Sequence, residues 1–330
     1  MPNKATQEGR LPTFHVVADS IPQAHYRAMK TVWENGLEIR TEYDRKDAEG
    51  EYLDPPSRDA RVLIEVKDPF AQPRYPPISF CEIGTYIAEI MGAKDHMVLP
   101  VGKLKEAVHG DLAATQWPYT YHQRLFDHPD LDGSTVDQVA LAVERVAKTP
   151  YTRRAVATTT VPNIDPFLKE DVPCLREIQL RCPEDAEGNL VLNLSTAWRS
   201  RDLLKAWADN VIGLTFLQSV LAGEIENKAR RKVRVGSYAD YSFSLHIYGQ
   251  DFTLVEGDPT KGIRSFFGNF DEKTYIQRSF RSEDAAEMLV IPQLRKLLSD
   301  EQVEQWHFPQ KSIDLVEWLI RELEEGRYMA

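Results

Sequence analysis

No run of 18 apolar residues occurs anywhere in this 330-residue chain, so nothing in it reads as a helix able to cross a bilayer. Its first residues also lack the apolar core of a secretory leader. Cysteine is scarce: Cys81, Cys174 and Cys182 are an odd number without paired spacing. That argues against a disulfide framework, and a reducing, cytoplasmic location is expected. No zinc-ligand pattern, internal repeat or low-complexity tract is present. Positive charge is not in excess. A net charge of −11 disfavours broad nucleic-acid binding, although a local basic pocket can still hold a small phosphate. What remains is 42% hydrophobic and 28% charged residues, the composition of an ordinary globular protein long enough to bury a large core.

The pattern of apolar residues alternates between helix and strand periods. Residues 1–20 read as a loose segment, polar over the first dozen. A helix is expected over Pro22–Leu37, with Asn35-Gly36 as its stop. Tyr43–Ser57 reads as a charged loop, Arg61–Lys67 as a strand, and Ala71–Pro77 as a proline-rich loop. Phe80–Met91 suits a helix ending near Gly92. Thr135–Lys148 carries Val136, Val139, Ala140, Val143 and Val146 at helical spacing. Ala155–Thr160, Ile178–Arg181 and Leu190–Ala197 read as strands, the last two joined by the turn Pro183–Asn189. Leu203–Ala222 is expected to be a long, central helix, and Lys232–His246 a strand. Glu283–Leu298 and Ile313–Glu325 read as surface helices. One domain of mixed α and β elements is the simplest account.

The stretch from Val172 to Asp202 carries the densest chemistry. A thiol follows proline at Pro173-Cys174, and Trp198-Arg199-Ser200-Arg201-Asp202 supplies cations, a hydroxyl and a carboxylate. A thiolate near arginine has a lowered pKa, and the thiolate is the reactive form. Each feature alone has an ordinary explanation. Free cysteine is usually buried and inert, and arginine pairs usually face solvent.

Order along the chain changes that balance. Tyr119-Thr120-Tyr121-His122-Gln123-Arg124 comes first, then Pro150-Tyr151-Thr152-Arg153-Arg154. Pro173-Cys174, Arg199-Ser200-Arg201-Asp202 and Asn210 follow, and Ser244-Leu245-His246-Ile247-Tyr248 closes the set. In this order the segments resemble the thymidylate synthase family, which includes the pyrimidine-nucleotide hydroxymethylases. The resemblance covers about Tyr119 to Tyr248. It implies an α+β fold: a single domain over 21–330 in which a mixed β-sheet packs against helices, with a homodimer formed through the sheet face.

The resemblance also implies roles. Cys174 would add to C6 of a pyrimidine ring, and Asn210 would meet the ring's O4 or N4 edge. Arg199, Ser200, Arg153 and Arg154 would hold the nucleotide phosphate, the last two reaching in from the partner subunit. Arg58 is the N-terminal phosphate arginine favoured over Arg40 and Arg45. His246 and Tyr248 would hold the sugar, Asp202 would face the folate pterin, and Tyr121 would assist removal of the C5 proton. Glu82 is the folate-side glutamate, with Glu89 as its rival. The implied substrates are a pyrimidine nucleoside monophosphate and 5,10-methylenetetrahydrofolate, with no metal, nucleic acid or membrane. Asp209 reads as exposed, and Cys81 and Cys182 as structural.

Departures from the family pattern leave product and base open. Trp198 stands where glutamine is usual, Leu175 where histidine is common, and Phe243-Ser244 where Gly-Asp is usual. The tail Gly326–Ala330 is unlike the family's. Methylation of dUMP and 5-hydroxymethylation of dCMP, CMP or dUMP are therefore both carried forward, with methylation first. An amide at position 210 favours uracil, since it can offer a donor to O4 and an acceptor to N3–H. A non-catalytic nucleotide-binding protein is the second alternative. An unrelated cysteine hydrolase would need His246 as its base and lacks a third partner.

Overall fold

Thr13–Ala18 is a strand, not loose chain: Val16 and Ala18 are buried, and the segment runs parallel to a second strand from Thr13 opposite Arg61 to Ala18 opposite Val66. The expected loose segment over 1–20 is thus corrected. Its alternation is short and follows a polar stretch, and the partner strand decides it. The computed structural model describes residues 8–77, 82–100, 103, 117–130, 132–168, 172–253 and 263–328. In chain order the elements are β1 (Thr13–Ala18), α1 (Ile21–Asn35), β2 (Leu37–Ile39), β3 (Ser57–Val66), α2 (Ile83–Ile90), α3 (Tyr121–Phe126), β4 (His128–Pro129) and β5 (Thr135–Val136). Then come α4 (Gln138–Lys148), β6 (Val156–Thr158), β7 (Leu175–Arg181), β8 (Leu190–Trp198), β9 (Arg201–Asp202), α5 (Trp207–Ala229) and β10 (Val233–Ile247). The fold is α+β, with mixed parallel and antiparallel strand pairing and helices packed on the strands.

Two compact units are interleaved along the chain. One comprises Met1–Cys81, Trp198–Val211 and Ala239–Ser282; the other comprises Glu82–Ala197, Ile212–Tyr238 and Glu283–Ala330. The chain passes from one to the other inside both α5 and β10.

In the first unit the strand order is β1-β3-β10, with β2 antiparallel on β3 and β9 parallel on β10. Helix α1 starts where Ser20 accepts from the Gln23 N–H, and Pro22 occupies the first turn. Ile21, Ala24, Ala28, Met29 and Val32 form its buried stripe against β1 and β3. It ends at Gly36, where a Cβ would lie 2.5 Å from the Val32 carbonyl oxygen. Strand β3 begins four residues before the expected Arg61, because Ser57 and Asp59 pair with Ile39 and Leu37. His25 is fully buried, stacked on Trp207 and held by the Tyr275 hydroxyl and the Leu203 carbonyl. Burial pushes its pKa down to about 4 and keeps the ring neutral.

In the second unit the order is β10-β8-β7-β6. Helix α4 begins at Gln138, three residues later than its periodicity suggests. Asp137 caps it, and Thr135-Val136 pairs instead with His128-Pro129. Helix α2 is described from Ile83; Phe80 and Cys81 lie outside the described residues. The expected helix over 283–298 is interrupted by a π-helical turn, Ala286–Val290, before Ile291–Leu297. Pro292 follows that turn, and its lack of an N–H removes one α-helical bond there. Gly84 of α2 meets the same turn closely, since a Cβ there would lie 2.5 Å from the Val290 carbonyl oxygen. Among the described residues no helix is long and apolar enough to cross a membrane.

Candidate active site

Strand β7 begins at Leu175 rather than Ile178, which puts Cys174 immediately before it. Leu175 is fully buried, and its carbonyl accepts from the Thr159 hydroxyl, so the strand's first residue is firmly anchored. The Cys174 thiol is half-buried, with its Sγ 3.9 Å from the Val172 carbonyl oxygen. Tyr121 opens α3, whose cap Thr120 accepts from the Gln123 N–H and donates to Asp95 across 2.5 Å. The Tyr121 hydroxyl accepts from the Leu175 N–H at 3.4 Å. Behind it, fully buried Arg124 bridges the Asp165 carboxylate and the Thr159 carbonyl. That pair holds α3 on the chain that leads out of β6. Cys182, by contrast, is fully buried, and burial raises its pKa to about 11, as suits an inert thiol.

Arg153 and Arg154 are exposed on the loop between α4 and β6. The loop is shaped through its backbone: Gln179 donates to the Arg153 carbonyl and Arg145 to the Arg154 carbonyl. Their guanidinium groups thus sit on an ordered turn. Glu82 lies at the N-terminal cap of α2, ion-paired with Lys296 at 2.8 Å and accepting from the Thr85 hydroxyl. The hydrogen bond from Lys296 holds its pKa below the usual carboxylate value. Glu82 and Lys296 also line a cavity of about 190 Å³ with Lys94, Trp117, Trp306 and Phe308. Glu89 is paired with Lys94 at 3.2 Å and does not line that cavity.

The remaining sequence-assigned residues belong to the first unit. The β8 strand ends at Trp198; Arg199 is exposed and Ser200 half-buried just before β9. Register sets Asp202 opposite His246 on β10, and Tyr248 stands edge-on to the His246 ring with centroids 4.4 Å apart. Asp202 accepts from the N–H groups of Leu204 and Lys205, which turns the chain before α5. This turn delays the helix to Trp207, four residues past the expected start. Burial raises the Asp202 pKa. His246 is buried, with Nδ1 3.3 Å from the Ser244 hydroxyl and Nε2 without a hydrogen-bond partner. Its pKa falls to about 4, chiefly through burial, with the Arg199 charge adding to the effect. A neutral ring with an unsatisfied Nε2 is suited to a ligand hydroxyl.

Arg58 is ion-paired with Glu38 at 2.7 Å and lies over Trp33; Arg40 and Arg45 are likewise bound to Asp44 and Asp54. Any of the three must exchange or share a carboxylate to hold a phosphate. Asn210, in the first turn of α5, is buried, and its Oδ1 accepts from Arg201 Nε at 3.1 Å. Asp209 is also buried, contrary to its expected exposure, and its charge helps raise the Tyr275 pKa. The burial of Asp209 depends on residues remote in sequence, Tyr275 among them, which a single sequence cannot show.

Sequence reasoning passed over Arg201. It is buried, 2.9 Å from Asp240 and 3.9 Å above the Trp198 ring, and Trp207 Nε1 donates to the same Asp240 oxygen at 3.0 Å. A signal was available: an arginine three residues after the tryptophan that replaces glutamine, and an aspartate inside the aromatic stretch of β10. Among the described residues no cluster of side chains has the composition of a metal site.

A family model described as "Thymidylate synthase" matches residues 103–266 of this chain. A Methanosarcina acetivorans protein named "Putative thymidylate synthase" is 27% identical over 248 residues, 74% of this chain and 94% of that protein. A Methanocaldococcus jannaschii protein of the same name is 34% identical over 143 residues, 42% of this chain and 59% of that protein. The solved thermostable thymidylate synthase A from Bacillus subtilis is similar over 69% of this chain and 80% of that chain, at 18% identity and a TM-score of 0.46.

Proposed function

The chain is a divergent member of the thymidylate synthase superfamily, and from that premise we propose that it transfers a one-carbon unit from 5,10-methylenetetrahydrofolate to C5 of a pyrimidine nucleoside monophosphate, with dUMP methylation to dTMP as the reaction. The observation that carries this reading is the half-buried Cys174 at the head of β7, with the Tyr121 hydroxyl bonded to the next residue.

The Cys174 thiolate adds to C6 of the ring. The C5=C6 electron pair then serves C5 as a nucleophile, with enolate charge on O4. The Asn210 amide meets that charge. After C5 has bonded to the one-carbon unit, its proton would leave to water held by the Tyr121 hydroxyl as the carbon's bond to the folate nitrogen breaks; hydride delivered to that carbon and release of the thiolate would then restore the C5=C6 bond. Arg199 and Ser200 bind the phosphate with Arg58, and Arg153 and Arg154 of a second copy complete that cluster. His246 and Tyr248 bind the sugar hydroxyl.

The cavity at Glu82 suits a reduced folate, an aromatic and anionic molecule, because its walls pair tryptophans with Lys94 and Lys296. The folate supplies the carbon and, in methylation, the hydride. Glu82, kept ionised by Lys296, organises water there, and Asp202 offers a carboxylate to a pterin N–H. A homodimer in a reducing cytoplasm completes the proposal.

The test is incubation with methylenetetrahydrofolate and dUMP, dCMP or CMP in turn, followed by product mass. A 5-methyl product from dUMP supports the reading. A 5-hydroxymethyl product replaces it with the hydroxymethylase alternative. No one-carbon product from any nucleotide, despite binding, leaves a nucleotide-binding protein.

A further inference from the structure

The amide of Asn210 is fixed in one of its two orientations by a buried cation. Arg201 Nε lies 3.1 Å from Asn210 Oδ1. A guanidinium has donors only and does not lose its proton in a protein. The amide end that faces it must therefore be the oxygen, whichever way a side-chain amide might otherwise be turned.

Arg201 itself has little freedom to yield. Asp240, whose side chain is fully buried, neutralises it at 2.9 Å. The Trp198 ring lies 3.9 Å beneath the guanidinium, and its Nη2 donates to the Trp207 carbonyl at 3.4 Å. Trp207 Nε1 in turn holds Asp240 in place at 3.0 Å. Two tryptophans and an aspartate thus fasten the donor that fastens the amide.

We propose that Arg201 is a positioning residue that sets base choice: by locking Asn210 with its oxygen toward Nε, it makes the amide read a uracil edge and reject a cytosine edge. This rests on the pyrimidine-nucleotide reading above and deepens it. With N3 on the oxygen's side, the pose the uracil reading above requires, the amide oxygen's two lone pairs can serve Arg201 and a ring N3–H together, while Nδ2 donates to the uracil O4. Cytosine offers an acceptor at N3 and a donor at C4. To suit it the amide must turn over, which sets NH₂ against the Nε–H and loses a charge-assisted bond. Loss of such a bond corresponds to about tenfold to a hundredfold in relative affinity.

The experiment is calorimetric binding of dUMP and dCMP to the full-length protein. Wild type is expected to favour dUMP by about tenfold or more. Arg201→Met combined with Asp240→Leu removes both buried charges together, so neither is left unpaired. In that variant the dUMP/dCMP ratio should fall about tenfold, mainly because dCMP binds more tightly. Arg201→Lys keeps a charged donor and should retain most of the ratio. If the double variant fails to fold, Arg201→Gln replaces it, since glutamine can present either end and should collapse the ratio. A wild type that prefers dCMP overturns the proposal, as does an unchanged ratio in a folded double variant or in Arg201→Gln. Failure of wild type to bind either nucleotide overturns the parent reading and this one together; one-carbon transfer to dUMP with a ratio indifferent to Arg201 overturns this one alone.

Discussion

The main-chain N–H of Leu175 donates to the hydroxyl of Tyr121 across 3.4 Å. The phenol is thereby tied to the residue that follows Cys174. The separate duties of the two side chains give the first expectation. Cys174→Ala should abolish turnover while nucleotide affinity stays within about twofold, and a 5-fluoropyrimidine nucleotide should leave an adduct on Cys174, visible by mass, in wild type but not in this variant. Tyr121→Phe should lower turnover by about 10²–10⁴ yet still form that adduct. An adduct that persists in Cys174→Ala ends the mechanism.

Arg153 and Arg154 are exposed on a backbone-braced turn, a posture that fits a side chain reaching into a second copy. Arg154→Ala and Cys174→Ala chains should each be inactive alone. Mixed and re-equilibrated, they should recover up to about a quarter of wild-type activity, because half of the molecules are heterodimers with one intact site of two. Heterodimers demonstrated by native mass spectrometry but without activity would falsify the cross-subunit role.

Glu82 and Glu89 can be separated by kinetics. Glu82→Gln is expected to lower kcat about a hundredfold with dUMP affinity unchanged, and Glu89→Gln to leave kcat within a few-fold. Lys296 lowers the Glu82 pKa, so Lys296→Met should raise it. If ionised Glu82 is required, the acid limb of the pH–rate profile then moves to higher pH. A limb that stays in place removes Glu82 from the reaction.

Base choice should also respond at position 210 itself. Asn210→Asp keeps an acceptor toward Arg201 and turns the other end from donor to acceptor, which suits the cytosine amino group. The dUMP/dCMP activity ratio should shift toward dCMP by about tenfold to a hundredfold. Steady-state rates on both nucleotides measure it, and a wild type already selective for dCMP refutes the uracil reading.

Asp59 offers a stability test with a defined sign. Burial raises its pKa from 3.8 to about 6, against a hydrogen bond from Ser244. The folded state therefore holds this proton more tightly, and the protein loses stability as pH rises from about 4 to about 6. Ionised, the group costs the fold up to about 3 kcal/mol. Asp59→Asn should raise the melting temperature at pH 8 and change it little at pH 4. An equal shift at both values would point to packing instead.

The sequence by itself determined the α+β class, the approximate position of most elements, and the residues from Tyr119 to Tyr248 that identify the family. These depend on local information: apolar period, stop signals such as Asn35-Gly36, and short motifs in fixed order. Tertiary structure decided what depends on distant partners. Thr13–Ala18 became a strand because β3 lies beside it, and β7 reached back to Leu175, beside Cys174, because Leu175 is anchored by Thr159. The Asp202 turn delayed α5, and Asp209 is buried by chain remote from it in sequence. The lock on Asn210 needed Arg201 and Asp240, 39 residues apart, brought together in a dry setting between tryptophans. Charge pairing of that kind follows from burial, and burial is a property of the assembled fold rather than of any local stretch.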